Sequence, residues 1–354
     1  MAEKKSLNTS NMKSKKRDKK FSDAIIIALI GAVAVILAAL IGIVPQLFKP
    51  TIESATRVVT ISPSLVSTEL SALTPFPTLP PAYDPHPYTD DYHDAFGVPM
   101  RLVSAGEFTM GDTATLALEE CQRFYGNECN LVFFTNAEPR HKVDLSAFYI
   151  DKYEVTNALY ASCVNAGVCE PPTKTDSATR TSYYGNSEFD NYPVIYVDWS
   201  MAKEYCGWRG ARLPTEAEWE KAARGTDGRY YPWGDDVIDC NHANITFALK
   251  PEGCVGDTRR VGSYEIGRSP YNIYDMSGNV WEWVADWYSE TYYKISPVFN
   301  PLGPNTGENH VLRGGSWNYY GSMFLGRSTT RFWDDPATFS YDNSVGIRCA
   351  HSAP

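Results

Sequence analysis

The sequence predicts an α+β domain, irregular and loop-rich, set behind one transmembrane helix. Three observations predict this. An uncharged apolar run fills residues 24–44 directly after a basic segment. Downstream, short apolar stretches suited to strands are interspersed with only a few helix signatures. The chain beyond about residue 225 is dense in Gly, Pro, Asn and aromatic residues, which suits short strands and long ordered loops better than long helices.

Taken in order, residues 1–23 hold eight Lys/Arg against three acids. Ala24 to Val44 is then 21 residues without a charge. As a helix it spans about 31 Å, enough to cross a hydrocarbon core of about 30 Å. The basic tail marks the cytoplasmic side. The expected location is therefore the cell membrane, single-pass, with the N-terminus cytoplasmic and the C-terminal domain extracytoplasmic. The tail sets topology, and a contact with anionic lipid is the second reading for it. A cleaved signal peptide competes with the anchor, but its apolar core is about 7–15 residues. The run here is longer and continues into Pro45-Gln46-Leu47-Phe48.

Residues 45–97 read as a Ser/Thr/Pro-rich linker, with Thr74-Pro75-Phe76-Pro77-Thr78-Leu79-Pro80-Pro81 at its centre. Prolines at this density block helix and sheet ladders and favour extended chain. Residues 98–354 read as the folded domain. The net charge of −10 hides an asymmetry: the first 23 residues carry +5, so the remainder carries −15. An acidic outer portion excludes nucleic acid as a partner, because phosphate binding needs a basic surface.

Within the domain, Met100–Val103 and Phe108–Gly111 read as short strands, and Val143–Ile150 as a further one. Thr156 caps a helix running to about Cys163, and Ser200 opens a helix carrying Tyr205 and Cys206. Thr215-Glu216-Ala217-Glu218 is a capping box, and Gly225 closes the helix it starts. All eight cysteines lie in this portion, where an extracytoplasmic location permits disulfides. Proximity suggests Cys121 with Cys129, Cys163 with Cys169, and Cys240 with Cys254. Zinc is the weaker reading, since no pair has Cys-x-x-Cys spacing and the six histidines are scattered. A serine hydrolase is not supported, because the Gly-x-Ser-x-Gly pattern is missing.

Four motifs occur in a fixed order: Leu213-Pro214-Thr215-Glu216-Ala217-Glu218-Trp219-Glu220, Tyr231-Pro232-Trp233-Gly234, Asp275 through Trp283, and Arg313-Gly314-Gly315-Ser316-Trp317. With Gly346-Ile347-Arg348-Cys349-Ala350 they make residues 98–350 resemble the formylglycine-generating enzyme (sulfatase-modifying factor) family. The resemblance implies that family's irregular C-type-lectin-like fold. It implies a long-range disulfide between Cys206 and Cys349. It implies calcium, held by the side chains of Asp275 and Glu282 and the carbonyls of Gly278 and Val280, all oxygen donors as a hard cation wants. The alternative for this run is a buried turn with Glu282 satisfied by a basic partner. Asn244 and Ile245 match the first half of a second calcium site; the loop supplying the other half is replaced by Gly253–Asp257, and a Cys240–Cys254 disulfide would substitute for that ion.

The family's oxidases carry two active-site cysteines six and eleven residues after the arginine of this run. Here Tyr319 and Phe324 occupy those positions. The resemblance therefore implies a family member without the copper thiolates of the oxidases, since copper(I) selects soft thiolate ligands. Ser316, Trp317, Tyr319, Tyr320 and Phe324 mark where the family's groove would lie. A surface role and a buried one stay equally open for Tyr319, Tyr320 and Phe324, whereas Trp281 and Trp283 are assigned to the core. The expected function is a membrane-anchored, extracytoplasmic recognition module for a protein, peptide or glycan, with no catalytic residue assigned. The alternative is an oxidase that converts a cysteine of a sulfatase-type protein to formylglycine. A structural stalk-and-head protein is a third class.

Overall fold

The computed structural model describes residues 92–126, 129–246, 253–318, 325–336 and 342–354. The basic tail, the apolar run and the linker up to residue 91 lie outside the described residues. Among the described residues, no helix is long and apolar enough to cross a membrane.

Among the described residues three small sheets carry the fold. The first is built from β1 (Tyr92–His93), β2 (Pro99–Val103), β5 (Phe148–Asp151) and β10 (Ala350–Ser352), all antiparallel, in the order β1-β2-β5-β10. The second pairs β3 (Gly106–Met110) with β4 (His141–Leu145). The third holds β6 (Trp281–Trp287), β7 (His310–Arg313), β8 (Phe332–Asp334) and β9 (Val345–Gly346) in the order β8-β7-β6-β9, with β6 and β9 parallel. Among the described residues four α-helices fill the gaps: α1 (Ala114–Tyr125), α2 (Asn157–Asn165), α3 (Trp199–Trp208) and α4 (Glu216–Arg224).

The local chemistry of the helix ends matches the expected caps in two cases. Thr156 Oγ1 accepts from the N–H of Leu159. The Thr215 hydroxyl accepts from the N–H of Glu218, whose carboxylate accepts from the N–H of Thr215, and Gly225 ends α4.

Four readings change. The stretch Val143–Ile150 is two strands in two sheets. Val143 and Leu145 are buried, and so are Phe148 and Ile150, so the inward phase slips by one residue at Ser146-Ala147. A single strand with period two would put the two pairs on opposite faces. Helix α3 starts one residue earlier than Ser200, because Asp198, not Ser200, is the cap: its carboxylate accepts from the N–H of Met201 at 2.8 Å. Helix α1 was not anticipated, although its inward residues Ala114, Ala117 and Cys121 follow helical spacing. The folded part also begins before residue 98. Tyr92 pairs with Met100 and stacks on Tyr149 at 4.4 Å, and Asp94 bonds Arg209 at 2.6 Å.

Trp219, Trp281 and Trp283 are all fully buried, so the two tryptophans assigned to the core do lie there. Four disulfides join Cys121 to Cys129, Cys163 to Cys169, Cys206 to Cys349 and Cys240 to Cys254. The Cys206–Cys349 bond fastens α3 to the residue just before β10.

Candidate functional site

The turn after β7 is set by two consecutive glycines at positive φ, Gly314 at 98° and Gly315 at 77°. A Cβ on Gly315 would sit 3.2 Å from the carbonyl oxygen of Leu325, a tight approach that adds to the strain a side chain would meet at this positive φ. Beneath the turn, Arg313 is completely buried. Its guanidinium donates to Glu220 Oε2 at 2.7 Å and to the carbonyls of Ser328 and Thr330 at 2.8 and 2.6 Å. The arginine is thus a brace for the segment opposite, not a group offered to a ligand.

Ser316 and Trp317 follow the turn. The N–H of Trp317 donates to the Asn279 carbonyl at 3.0 Å, its indole N–H donates to the Asn343 carbonyl at 3.1 Å, and its own carbonyl accepts from the Thr246 hydroxyl. The Ser316 hydroxyl is fully buried and has no hydrogen-bond partner among the described residues. A nucleophilic serine needs a hydrogen-bonded base, and none is described here. A buried, unsatisfied hydroxyl nonetheless calls for an explanation. Tyr319, Tyr320 and Phe324, the other residues marked for this groove, lie outside the described residues.

The Asp275–Trp283 run passes directly behind the turn: the N–H of Gly278 donates to the Gly314 carbonyl at 2.9 Å. Asp275 and Asn279 adopt positive φ, 59° and 63°, and Gly278 81°. A Cβ on Gly278 would lie 2.5 Å from the Asn244 carbonyl oxygen. The turn therefore brings Asn244 and Ile245, read from the sequence as half of a second calcium site, against Gly278 of the first.

Glu282 departs from the calcium pattern. Its carboxylate forms a fork with Arg348, at 2.7 Å from Nη2 and 2.9 to 3.0 Å from Nε, and accepts from the Trp219 indole at 2.7 Å. Both partners of this ion pair are fully buried. Glu282 is thus occupied by a basic partner and does not fit the role of ion ligand. Among the described residues, no group of three His, Cys, Asp or Glu side chains is arranged to hold a metal ion. The second-site residues are also largely engaged. The Ile245 carbonyl accepts from the N–H of Cys254 at 2.8 Å, and the Asn244 amide donates to the Asp257 carbonyl at 2.8 Å. Asp257 itself is held by Arg180, Ser177 and Thr179.

Sequence reasoning missed Glu154. This fully buried carboxylate reaches Asn279 Nδ2 at 2.5 Å and the N–H of Val280 at 3.2 Å. Burial, with Asp275 and Glu282 nearby, pushes its pKa well above the usual carboxylate range. Burial likewise raises Asp275 to about 6, against the pull of the Gly262 N–H and of Arg348. No local pattern around Glu154 betrays this role, because its partners are about 125 residues away in the chain.

Eight cysteines are present in the chain, and the four disulfides use all of them. No thiolate is left to act as a nucleophile or a soft metal ligand.

Residues 97–353 match the family model described as sulfatase-modifying factor enzyme 1-like domain. The chain is 34% identical over 258 residues to the formylglycine-generating enzyme of Streptomyces coelicolor, covering 61% of this chain and 81% of that protein. It is 39% identical over 169 residues to the inactive C-alpha-formylglycine-generating enzyme 2 of Mus musculus, covering 46% of this chain and 49% of that one. Among solved structures, PvdO from Pseudomonas aeruginosa superposes with a TM-score of 0.58 at 25% identity, covering 75% of this chain and 98% of PvdO.

Proposed function

The chain belongs to the sulfatase-modifying factor enzyme 1-like family, and from that premise we propose that it is a non-oxidase member, a disulfide-stapled recognition domain. The observation that carries this reading is the cysteine inventory. Oxidation of a substrate cysteine by the family's route needs two protein thiolates, and all eight cysteines here are paired. Tyr319 and Phe324 stand where those thiolates would be. A phenol with a reference pKa of about 10 is a poor soft ligand, and a phenyl ring is none. In this reading the recognition surface lies over the turn that carries Ser316 and Trp317, whose own side chains are buried beneath it.

Purified protein supplied with copper and oxygen should not convert the cysteine of a Cys-x-Pro-x-Arg peptide to an aldehyde. Mass spectrometry showing copper- and oxygen-dependent conversion would falsify the reading and restore the oxidase. Saturable peptide binding without conversion is the expected companion result.

Residues 24–44 would hold the domain outside the membrane, with residues 1–23 cytoplasmic. Four disulfides agree with an oxidising compartment. Protease added to intact cells should release the folded domain, and protection of the domain until the membrane is broken would reverse the orientation.

Calcium belongs to the proposal in reduced form. Glu154, Asp275 and Glu282 share one buried guanidinium, Arg348. Two carboxylates are left to take up protons or a cation. Asp275, with the carbonyls of Gly278 and Val280, is the assigned donor set, and Glu282 stays with Arg348. Demetallated protein should melt at higher temperature when calcium is added, as mass action requires of a ligand bound only by the native state. The increase should vanish in Asp275→Ala, which leaves no side-chain oxygen, and superimposable wild-type curves with and without the ion would remove calcium from the account.

A further inference from the structure

A cavity of about 720 Å³ opens between α3, the turn joining β4 to β5, and the loop at residues 300–302. It shares no lining residue with the Ser316 turn or the Asp275 turn, and its volume lies within the roughly 300–1,000 Å³ typical of ligand sites. Leu145, Trp199, Leu213, Pro301 and Leu302 supply much of its apolar wall.

These walls are fixed. The Trp199 indole N–H donates to the Val284 carbonyl at 2.9 Å, and its ring stacks at 3.8 Å on His310, which is stacked on its other side by Trp287 at 3.7 Å. The N–H of Ser146 donates to Asn300 Oδ1 at 2.9 Å, and the Asn300 amide returns a bond to the Ser146 hydroxyl at 3.0 Å. The space is therefore built into the fold, with its walls pinned from behind.

Two lining residues bear on what fills it. Gly207 sits in helix α3, where glycine is the least favourable residue after proline. A Cβ there would meet nothing within 4 Å, so no contact among the described residues accounts for the glycine. Lys203, one helical turn earlier, lies 4.9 Å from the centre of the Trp199 ring, and its ammonium has no carboxylate partner among the described residues. On an acidic domain, an unpaired cation beside an apolar wall complements a ligand that is apolar with one negative charge.

The loop that gives Asn300, Pro301 and Leu302 to the cavity points to a peptide. Val298, Phe299 and Leu302 are 57%, 63% and 70% exposed. Asp144 pairs with this loop through the carbonyl of Val298 and the N–H of Asn300, in parallel register. That pairing turns the N–H and carbonyl of Phe299 away from β4, and they have no partner among the described residues. We propose that this cavity receives the apolar last residue of an extended peptide, whose terminal carboxylate meets Lys203 and whose main chain pairs with Phe299. The mode is strand addition with one side-chain pocket.

The test uses the full chain and pools of dye-labelled octapeptides ending in leucine, isoleucine or phenylalanine, followed by fluorescence polarisation. Saturable binding is expected, falling at least tenfold when the terminus is amidated and to a similar degree in Lys203→Gln. Gly207→Leu should abolish binding. Gly207→Ala should melt at or above the wild type, which shows that α3 tolerates a side chain here. Binding untouched by amidation or by Gly207→Leu would place the peptide elsewhere and overturn the proposal. So would no saturable binding of any pool, or capture of decanoate by the same residues in place of the peptides, which would make the site one for a lipid acid.

Discussion

Asp275 places a carboxylate in a buried turn at a positive φ, a backbone conformation that, glycine apart, asparagine, aspartate and histidine adopt more readily than other residues. Burial raises its pKa from the ordinary 3.8 to about 6. The folded state then binds a proton more tightly than the unfolded state does. Its contribution to stability is fully present below about pH 4 and is lost as pH rises through 6. Two units correspond to about 3 kcal/mol at most. In calcium-free solution, Asp275→Asn should remove this fall, so the variant should gain on the wild type between pH 4 and 7. His310 works in the opposite sense: burial lowers it from 6.5 to about 4, so its contribution is present above 6.5 and lost as pH falls through 4. The difference between variant and wild type, measured by urea titration at each pH, cancels the histidine and reports Asp275 together with its effect on Glu154. A difference that does not change with pH would show that Asp275 has an ordinary pKa.

Helix α4 is an element buried on every side although five of its nine residues are charged. The arginines of the third sheet and its following segment make this possible. Glu216 pairs with Arg331 and Arg313, and Glu220 with Arg313 and Arg224. Glu220 also accepts from the N–H of Gly111 at 2.8 Å, which ties the helix to the end of β3. Two variants separate local from tertiary stabilisation. Thr215→Ala removes the cap and should cost about 1 kcal/mol. Glu220→Ala strips buried arginines of their counter-charge and should cost about 3–5 kcal/mol. Chemical denaturation of both, side by side, checks the ranking. Equal losses would mean that the cap matters as much as the buried network.

Across the whole molecule, the Cys206–Cys349 bond spans 143 residues of sequence, whereas Cys163–Cys169 spans 6. In the chain-entropy account the long bridge stabilises by about 5 kcal/mol and the short one by about 2. Replacing both cysteines of each pair by serine, in separate variants, should therefore lower the melting temperature far more for the long pair. The long bridge also joins α3, one wall of the cavity described above, to the residue just before the strand at the edge of the first sheet. Loss of the long bridge should thus also weaken peptide capture at a temperature where the short-bridge variant keeps it. Indistinguishable melting of the two variants would show that the loop-length account does not apply to this fold.

What the sequence by itself determined was local or carried by motif. The caps at Thr156 and Thr215 follow from side-chain oxygens placed three residues before a backbone N–H. The family and the Cys206–Cys349 pairing followed from motifs in a fixed order. Only the tertiary structure decided how groups far apart in the chain divide their charge. Glu282 looks like an oxygen donor in its own run, yet Arg348, 66 residues away, takes its carboxylate. Glu154 carries no motif and becomes part of the turn only because the end of β5 packs behind it. The break at Ser146-Ala147 was visible as a slip in alternation, but which sheets the two halves join depends on strands elsewhere. A charge's partner and a strand's neighbour are set by packing over long sequence separations, and no local pattern encodes them.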